Sequence, residues 1–371
     1  MTLAVGMNLL GLTPGGGGAA RYAVELARAL RETEPDIRLV LFTTRSAPAD
    51  LAERVPGSKV VTLPLSLDGR LPWTLPWTYA GLPVLAAAQR LDVLHGPFNV
   101  SPGVTPGVRR MVTVLDLIWW HMPHEWEADA RAHRAIRRQT LYSLRHAHRV
   151  LTISQTSARD LVQTLGLPQE SITVTPLGVS ERPRVAPLGE GELRARHGLG
   201  RGRVLLSVAQ RRPYKNLPAL VRALPGLPDD VVLVLAGAPT AHDEELRALA
   251  ASLAVSDRLR LLGYVDDAEL EGLYALASAF ALMSRIEGFG LPALEAMRRG
   301  VPVVVSAGTA LEEVVGDAGL TVALDDDEAL CATLTRVLDD PGELAARGRE
   351  RAAGFTWRRT AELTLEAYRA A

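Results

Sequence analysis

The chain has 371 residues, a formal net charge of −1 at pH 7 and one cysteine, Cys331. This length suits two α/β domains, the near-neutral charge gives no field that would attract nucleic acid, and one cysteine excludes a disulfide framework or a thiolate metal cluster. Residues 1–10 lack the basic region of a secretion signal, and no apolar run approaches the roughly 20 residues of a membrane span. We therefore expect a cytoplasmic protein, with peripheral contact at the inner membrane face as an open alternative.

A glycine-rich loop follows the first predicted strand, which covers residues 3–9. Four consecutive glycines, at 15–18, lead into an amphipathic helix that extends to about Leu30. A strand, a glycine loop and a helix start form an arrangement that cradles anions. The spacing matches neither the dinucleotide nor the ATP phosphate motif, so the sequence predicts neither NAD nor ATP, and a mobile loop without function is the alternative.

A segment rich in proline and aromatic residues occupies residues 67–85. Trp73, Trp77 and Tyr79 lie in it, in a chain with only 5% aromatic residues. Tryptophan and tyrosine rings have apolar bodies and polar edges, which suit an acceptor surface or a shallow membrane contact. Packing of a helix against the sheet explains the same residues equally well.

The next candidate groups follow the predicted strand at residues 110–115. The strand ends in V-T-V-L-D-L, which places Leu115 and Asp116 at its carboxyl end, and His121 and His124 lie shortly after it. Either imidazole could reach the same edge of the sheet, although a lone histidine is more often structural.

A predicted helix over residues 130–148 is rich in arginine. The arginines in and next to it are Arg131, Arg134, Arg137, Arg138, Arg145 and Arg149. A solvated helix face is one interpretation. Contact with anionic lipid headgroups or with a phosphorylated acceptor is the other.

A cationic loop follows the first predicted strand of the second half, residues 203–208. It contains Arg211, Arg212 and Lys215, and the chain has only one other lysine among its 41 Lys and Arg residues. In a chain that uses arginine almost everywhere, a lysine indicates a site that needs a compact point charge, such as one facing a phosphate.

The stretch Ser284–Gly300 carries the strongest pattern. Pro292 suits the first position of a helix and Gly300 its end. Two glycines before the helix let the backbone approach a ligand, and the helix start presents unpaired N–H groups and a positive dipole end. This pattern predicts a site for phosphate or sugar oxygens, bracketed by Glu287 and Glu295.

Two glutamates separated by seven residues, with G-F-G-L-P between them, resemble the motif of the retaining, nucleotide-sugar-dependent glycosyltransferases with the GT-B fold, glycosyltransferase family four. The resemblance covers nearly the whole chain. P-Y-K-N at 213–216 is similar to the family loop P-R-K-N, whose lysine contacts the donor diphosphate, and P-L-G-V at 176–179 is similar to its P-N-G-V. The resemblance implies an α/β protein with two Rossmann-like parallel-sheet domains that face each other across a cleft.

Domain bounds follow from the alternation of predicted strands and helices, which is interrupted by a segment rich in proline and glycine. We place the N-terminal, acceptor-side domain at 1–182, the linker at 183–191 and the C-terminal, nucleotide-sugar-binding domain at 192–355. The resemblance implies that the last helix, 356–371, packs back on the first domain.

The resemblance also implies roles for the singled-out residues. The catalytic set is Glu287, Lys215, Asp116 and Arg211. The donor-binding set is Gly16, Gly17, Lys215, Tyr264, Val265, Glu287, Gly288, Phe289, Gly290, Leu291 and Glu295. For the acceptor we add Trp73, Trp77 and His121 from their chemistry. Packing is the alternative for Tyr264 and Val265, and solvated surface charge is the alternative for Arg211.

The implied reaction transfers a sugar from a nucleoside diphosphate sugar to a hydroxyl of a glycan, a lipid-linked sugar or a small molecule, with retention at the anomeric carbon. Lys215, the glycine loop and the helix dipole would stabilise the leaving diphosphate, so neither a metal nor a cofactor is expected. Leu115 stands where the family usually carries a histidine. The leaving phosphate would then take the proton of the acceptor.

Three other functions are weighed against this one. An epimerase or a phosphorylase would need extra acid and base carboxylates or a cofactor lysine, and the sequence shows no pattern for either. A catalytically silent, nucleotide-sugar-binding partner subunit is supported only by Leu115. A GT-B enzyme that couples non-sugar cyclitol units would share the donor residues and differ in its acceptor.

Overall fold

The computed structural model describes residues 2–14, 16–65, 76–123, 130–180 and 185–371. The chain divides into two compact units. Unit 1 comprises Met1–Gly178 together with Thr356–Ala371, and unit 2 comprises Val179–Phe355. The last helix therefore belongs to unit 1, although the whole of unit 2 separates it from the rest of unit 1 in sequence.

Unit 1 is built on a parallel sheet of seven strands. The strands are β1 Ala4–Asn8, β2 Arg38–Thr44, β3 Lys59–Leu63, β4 Val93–Gly96, β5 Arg109–Thr113, β6 Arg149–Thr152 and β7 Ile172–Val174. Their order is β3-β2-β1-β4-β5-β6-β7, so the direction of winding reverses between β1 and β4. The central strands are apolar and buried, as in sheets that helices cover on both faces.

The helices of unit 1 connect these strands. They are Gly17–Thr33, Leu51–Arg54, Leu82–Ala88, Ile118–His121, Ala130–His146, Gln155–Leu165 and the final Trp357–Ala370. A π-helical turn, Trp77–Gly81, leads directly into the Leu82–Ala88 helix. Among the described residues, no helix has the length and apolar character needed to cross a membrane.

A chain of four buried polar side chains joins the first helix, the sheet and the last helix of unit 1. The Tyr22 hydroxyl lies 2.9 Å from Thr113 Oγ1, which lies 2.7 Å from His95 Nε2. His95 Nδ1 lies 2.7 Å from the Tyr368 hydroxyl, and all four residues are 0% exposed. Burial lowers the pKa of His95 to about 3 and raises the pKa of both tyrosines. His95 is therefore neutral in the folded protein.

The stability of the protein should decrease as the pH falls below about 6.5, the pKa of histidine in an unfolded chain. Since the folded-state pKa of His95 is about 3, the unfolded state binds more protons between these two values, and stability rises with pH there. The slope should reach about 1.4 kcal/mol per pH unit. His95→Gln should lose most of this slope in denaturant titrations between about pH 4 and pH 7. An unchanged slope in the variant would contradict the assignment to His95.

Unit 2 is built on a second parallel sheet, of six strands. They are β8 Arg203–Val208, β9 Val231–Ala236, β10 Leu259–Leu262, β11 Ala277–Leu282, β12 Val303–Ser306 and β13 Leu320–Val322. The order is β10-β9-β8-β11-β12-β13, with a reversal of winding between β8 and β11. Two Rossmann-like parallel sheets confirm the predicted fold class.

The helices of unit 2 are Glu190–His197, Leu217–Ala223, His242–Ser252, Asp267–Leu276, Leu291–Arg298, Ala310–Val315, Asp327–Asp339 and Leu344–Ala353. The Glu190–His197 helix begins inside the segment predicted as a linker. Just before it, the Leu188 amide donates to the Ala268 carbonyl at 2.9 Å. The end of that segment is thus packed within unit 2.

Candidate functional site

The reversal of winding in unit 2 places the carboxyl ends of β8 and β11 next to each other. Open parallel sheets bind their ligands at such a point, outside the carboxyl ends of the strands. The loop after β8 covers residues 209–216 and the loop after β11 covers residues 283–290. These two loops carry five of the eleven residues predicted to bind the donor, namely Lys215, Glu287, Gly288, Phe289 and Gly290.

An ion pair joins the two loops. Lys215 Nζ lies 2.5 Å from Glu287 Oε1, and the two side chains are only 13% and 9% exposed. The same carboxylate oxygen accepts from Ser284 Oγ at 2.9 Å, and the Arg285 amide donates to the Tyr214 carbonyl at 2.8 Å. Limited contact with water strengthens such an attraction. Two predicted residues that are 72 positions apart in sequence are thus brought together.

A glycine turn follows Glu287 and starts the Leu291–Arg298 helix. Gly290 has φ +104°, and a Cβ on it would lie 2.3 Å from Leu311 Cδ2. Pro292 occupies the second helical position, one residue later than predicted, because the helix begins at Leu291. Among the described residues no side chain caps this helix start, so its positive end is available to attract an anion.

Gly290→Ala should destabilise unit 2 because the new methyl group adds a steric clash to an unfavourable backbone conformation. We expect a loss of more than about 2 kcal/mol in the free energy of unfolding. Gly342→Ala is the matched control, since Gly342 has φ +51° but nothing lies within 4 Å of its added Cβ. It should lose only about 1 kcal/mol. Equal losses in denaturant titrations would show that Leu311 moves aside without cost.

Glu295 lies one turn inside the same helix. Its Oε2 accepts from the Tyr274 hydroxyl at 2.9 Å, and Glu295 and Tyr274 are 3% and 1% exposed. The Arg299 guanidinium lies 4.8 Å from the centre of the Tyr274 ring. Glu295 is therefore held on the buried side of the helix, next to a tyrosine that the sequence analysis did not single out.

The other predicted donor residues of unit 2 differ in exposure. Phe289 and Leu291 are 4% and 8% exposed, and the Phe289 ring packs edge-on against Phe355 with 5.8 Å between centroids. Their side chains belong to the core, so only their backbone can meet a ligand. Tyr264 is 79% exposed in the segment after β10, and Val265 beside it is half-buried.

Both units of the chain match known protein families. Residues 190–355 match the family described as glycosyl transferases group 1, and residues 16–182 match the family described as Glycosyltransferase Family 4. The chain belongs to the family 4, group 1 glycosyltransferases. The predicted family is thereby confirmed.

Three relatives of this glycosyltransferase illustrate the range of similar proteins. It is 36% identical to the O-antigen chain mannosyltransferase B of Escherichia coli, over 75% of this chain and 74% of that protein. It is 30% identical to the MMP alpha-(1->4)-mannosyltransferase of Mycolicibacterium hassiacum, over 95% and 94%. It is also 30% identical to the D-inositol 3-phosphate glycosyltransferase of Kineococcus radiotolerans, over 96% and 91%.

Solved structures share the fold of the glycosyltransferase. Sucrose-phosphate synthase from Thermosynechococcus elongatus superposes with a TM-score of 0.78 at 22% identity, covering 99% of this chain and 98% of that one. HepE of Anabaena, in complex with UDP and glucose, gives a TM-score of 0.76 at 19% identity and covers both chains fully, at 100% each. At these identities the similarity supports the GT-B fold and nothing more specific.

Arg211, predicted as catalytic, is a buried structural residue in the glycosyltransferase. It is 1% exposed and forms a two-point ion pair with Asp243, with Nε–Oδ1 at 2.7 Å and Nη2–Oδ2 at 2.9 Å. Its Nη1 donates to the carbonyl groups of Leu235, Gly237 and Leu262. The arginine holds the pKa of Asp243 below its usual value. These contacts fix the carboxyl ends of β9 and β10, so we correct the predicted role of Arg211 to a structural one.

A second ion pair, missed by the sequence analysis, lies beside the site. Arg285 donates to Asp325 by Nη2–Oδ1 at 2.5 Å and Nη1–Oδ2 at 2.9 Å, which lowers the pKa of Asp325. Asp325 has φ +64°, which is rare for a residue with a side chain. The partners are 40 positions apart, so no local pattern could have predicted their contact.

The glycine loop of unit 1 lies at the start of its first helix. The Gly16 amide donates to the Thr13 carbonyl at 3.2 Å, and Gly17 begins the Gly17–Thr33 helix with φ +64°. Both glycines are exposed, and Gly15 lies outside the described residues. Their predicted contact with a donor stays a prediction.

The remaining predicted residues of unit 1 lie on separate short elements. Asp116 Oδ1 accepts from the Ile118 amide at 3.1 Å, and Leu115 is half-buried. His121 Nε2 lies 2.8 Å from Asp160 Oδ1, and Trp77 begins the π-helical turn. Trp73 and His124 lie outside the described residues. The catalytic role of Asp116 and the acceptor roles of Trp73, Trp77 and His121 stay predictions.

Proposed function

We propose that this glycosyltransferase transfers a hexosyl group from a nucleoside diphosphate sugar to a hydroxyl acceptor, with retention at the anomeric carbon and without a metal or a cofactor. The observation that supports it best is the ion pair of Lys215 and Glu287, at the reversal point of the sheet and beside a helix start. Such a site offers one cation for a diphosphate and one carboxylate for sugar hydroxyls.

The site must stabilise the diphosphate that leaves the sugar. When the bond between the anomeric carbon and the phosphate oxygen breaks, its electron pair stays on the diphosphate, whose negative charge grows. Lys215 and the uncapped end of the Leu291–Arg298 helix supply fixed positive potential for that charge. We expect Lys215 to exchange Glu287 for a diphosphate oxygen when the donor binds, which leaves Glu287 to accept from hydroxyl groups of the sugar.

Retention follows if the acceptor attacks from the face that the diphosphate leaves. The acceptor oxygen then forms a bond to the anomeric carbon, and its proton passes to the leaving phosphate oxygen. Leu115, where the family usually carries a histidine, is a hydrocarbon and cannot take that proton. The proposed step does not require it to.

The relatives suggest which substrates to test first. Two of the similar proteins are named mannosyltransferases, so mannose is the first sugar for the donor panel. A third is named D-inositol 3-phosphate glycosyltransferase, so a phosphorylated cyclitol is an acceptor to set beside glycans and lipid-linked sugars. The catalytically silent binding subunit is the alternative function that the same panel tests.

The experiment is a thermal-shift measurement with nucleoside diphosphates and their sugars, followed by product analysis. A ligand at about 100 times its dissociation constant adds about 2.7 kcal/mol to stability, so one nucleotide family should raise the melting temperature clearly. Product with the anomeric configuration of the donor supports retention. Binding of a nucleotide sugar without transfer and without donor hydrolysis would support the silent subunit. If no nucleotide shifts the melting temperature, the proposed donor site is wrong.

Glu287→Gln should separate donor binding from transfer. The amide keeps the shape of the side chain but removes the counter-charge of Lys215, so binding of the free nucleoside diphosphate should be maintained or tightened. Transfer should fall by about 100-fold, because the sugar hydroxyls lose an ionised acceptor. Glu328→Gln, at an exposed helix start in the same unit, is the control. Loss of both properties together would place Glu287 in a structural role.

A further inference from the structure

The arginine-rich helix of unit 1, Ala130–His146, presents one line of long exposed side chains. They are Arg131, Arg134, Arg138, Tyr142 and Arg145. At 3.6 residues per turn, these five positions point within about 80° of one another and extend along about 20 Å of the helix. We call these four arginines, with Tyr142 among them, the arginine stripe.

Among the described residues, no carboxylate balances the charge of the arginine stripe. The sequence from 130 to 149 contains six arginines and no Asp or Glu. Elsewhere, exposed helices pair arginine with a glutamate four residues away, as in Arg194 with Glu190 and Arg358 with Glu362. Across the described ranges, the four arginines of the stripe form no ion pair. A solvated helix face normally carries charges of both signs, whereas the exposed charged residues of this helix are all arginines.

Two exposed apolar side chains lie on segments that contact Tyr142 of the arginine stripe. Val84, Val104 and Tyr142 are 68%, 62% and 39% exposed, and they make up three of the five exposed large hydrophobic residues in the described chain. A Cβ on Gly103, beside Val104, would lie 2.2 Å from the Tyr142 hydroxyl. The Tyr79 ring, in the turn that leads into the helix of Val84, lies edge-on to the Tyr142 ring at 5.3 Å. Both valines are thus on segments next to Tyr142.

We propose that the arginine stripe and its apolar neighbours dock unit 1 on the surface of an anionic lipid bilayer. Basic side chains attract anionic headgroups, and adjacent apolar groups enter the boundary between headgroups and acyl chains. A single phosphate would occupy one or two arginines, whereas these are spread along the helix. A nucleic acid would match the charge but not the exposed valines. The inference concerns where the enzyme works and is independent of its donor.

The test is co-sedimentation of the purified protein with vesicles of phosphatidylcholine alone or of phosphatidylcholine mixed with phosphatidylglycerol. Binding is expected only to the mixed vesicles, and it should weaken as salt shortens the range of the attraction. Each basic residue at such a surface contributes about fivefold to partitioning. The stripe variant combines Arg131→Gln, Arg134→Gln, Arg138→Gln and Arg145→Gln. Its partitioning to the mixed vesicles should therefore be weaker by about two to three orders of magnitude.

The matched control removes four exposed arginines elsewhere, with Arg45→Gln, Arg201→Gln, Arg336→Gln and Arg349→Gln. It has the same net charge as the stripe variant and should keep most of the binding. Both variants should keep the melting temperature of the parent protein, which shows that they fold. Equal loss of binding in the two variants would overturn the proposal, because net charge and not a particular face would then explain the attraction.

Val104→Ser tests the apolar part of the surface. It should weaken the binding that remains at high salt, while leaving the salt dependence unchanged. A short DNA duplex serves as the competing polyanion. If the protein binds the duplex as tightly as the mixed vesicles, and if Val104→Ser has no effect on either, the surface recognises polyanions in general and the lipid proposal is wrong.

Discussion

Lys215→Ala should abolish the stabilisation of the protein by nucleoside diphosphates and lower kcat/KM about 100- to 1000-fold. The side chain lies at the reversal point of the sheet of unit 2, and its ammonium nitrogen is 2.5 Å from Glu287 Oε1. It is the cation of the site best placed to meet the diphosphate charge that grows as the sugar leaves. Thermal shift and steady-state kinetics on the same samples measure the two effects.

The chain provides a natural control for this substitution in its other lysine. Lys59 begins β3 in unit 1 and donates to Gln89 Oε1 at 2.9 Å on the surface. Lys59→Ala should leave both measurements unchanged. If Lys59→Ala and Lys215→Ala have the same effect, the diphosphate contact of Lys215 is wrong.

Lys215→Arg tests whether donor binding and transfer require a lysine or only a positive charge. Arginine replaces lysine at nearly every cationic position of this chain, yet its planar guanidinium is larger than an ammonium and does not act as a point charge. We expect donor binding to be partly retained and transfer to remain low. Full activity would show that the lysine is not required by the chemistry of the site.

Arg211→Ala should have the largest effect on stability, a loss of about 3–5 kcal/mol, because it leaves the Asp243 carboxylate buried without its partner. For a unit of this size each kcal/mol lowers the melting temperature by about 2–4 °C, so a decrease of about 10 °C is expected. Differential scanning calorimetry measures it directly. The substitution also removes the hydrogen bonds to the carbonyl groups at the ends of β9 and β10.

Arg203→Ala is the control for Arg211→Ala. Arg203 also forms a two-point pair, with Asp230, and a further pair with Asp339, but its side chain is 29% exposed and those of Asp230 and Asp339 are 54% and 59% exposed. Surface pairs of this kind contribute about 1 kcal/mol or less. A stable Arg211→Ala protein that no longer responds to nucleoside diphosphates would reverse our assignment and return Arg211 to the ligand site.

Local sequence patterns were sufficient for the elements of the site. The apolar run before Ser284 predicts β11, and the two glycines with the helix after them predict an anion site, because turn residues and helix ends depend on neighbouring residues. Small errors appear at boundaries. The Leu291–Arg298 helix, for example, begins one residue before Pro292, which was predicted to start it.

The sequence did not predict which side chains meet across the sheet. Arg211 and Arg212 are adjacent in a loop next to Lys215, and nothing in their spacing shows that Arg211 turns inward to Asp243, 32 positions away. The buried chain from Tyr22 to Tyr368 is a similar case, because it joins three elements and the last helix.

The sequence by itself determined the two alternating halves, the glycine turn and the pair of glutamates that identify the family. The tertiary structure decided that Lys215 meets Glu287, that Arg211 is structural, and that four arginines of one helix stay without counter-charge in the described chain. Periodicity and turn chemistry act over a few residues and are visible in the sequence. Strand order brings distant segments together, and only the folded chain shows which charges then meet.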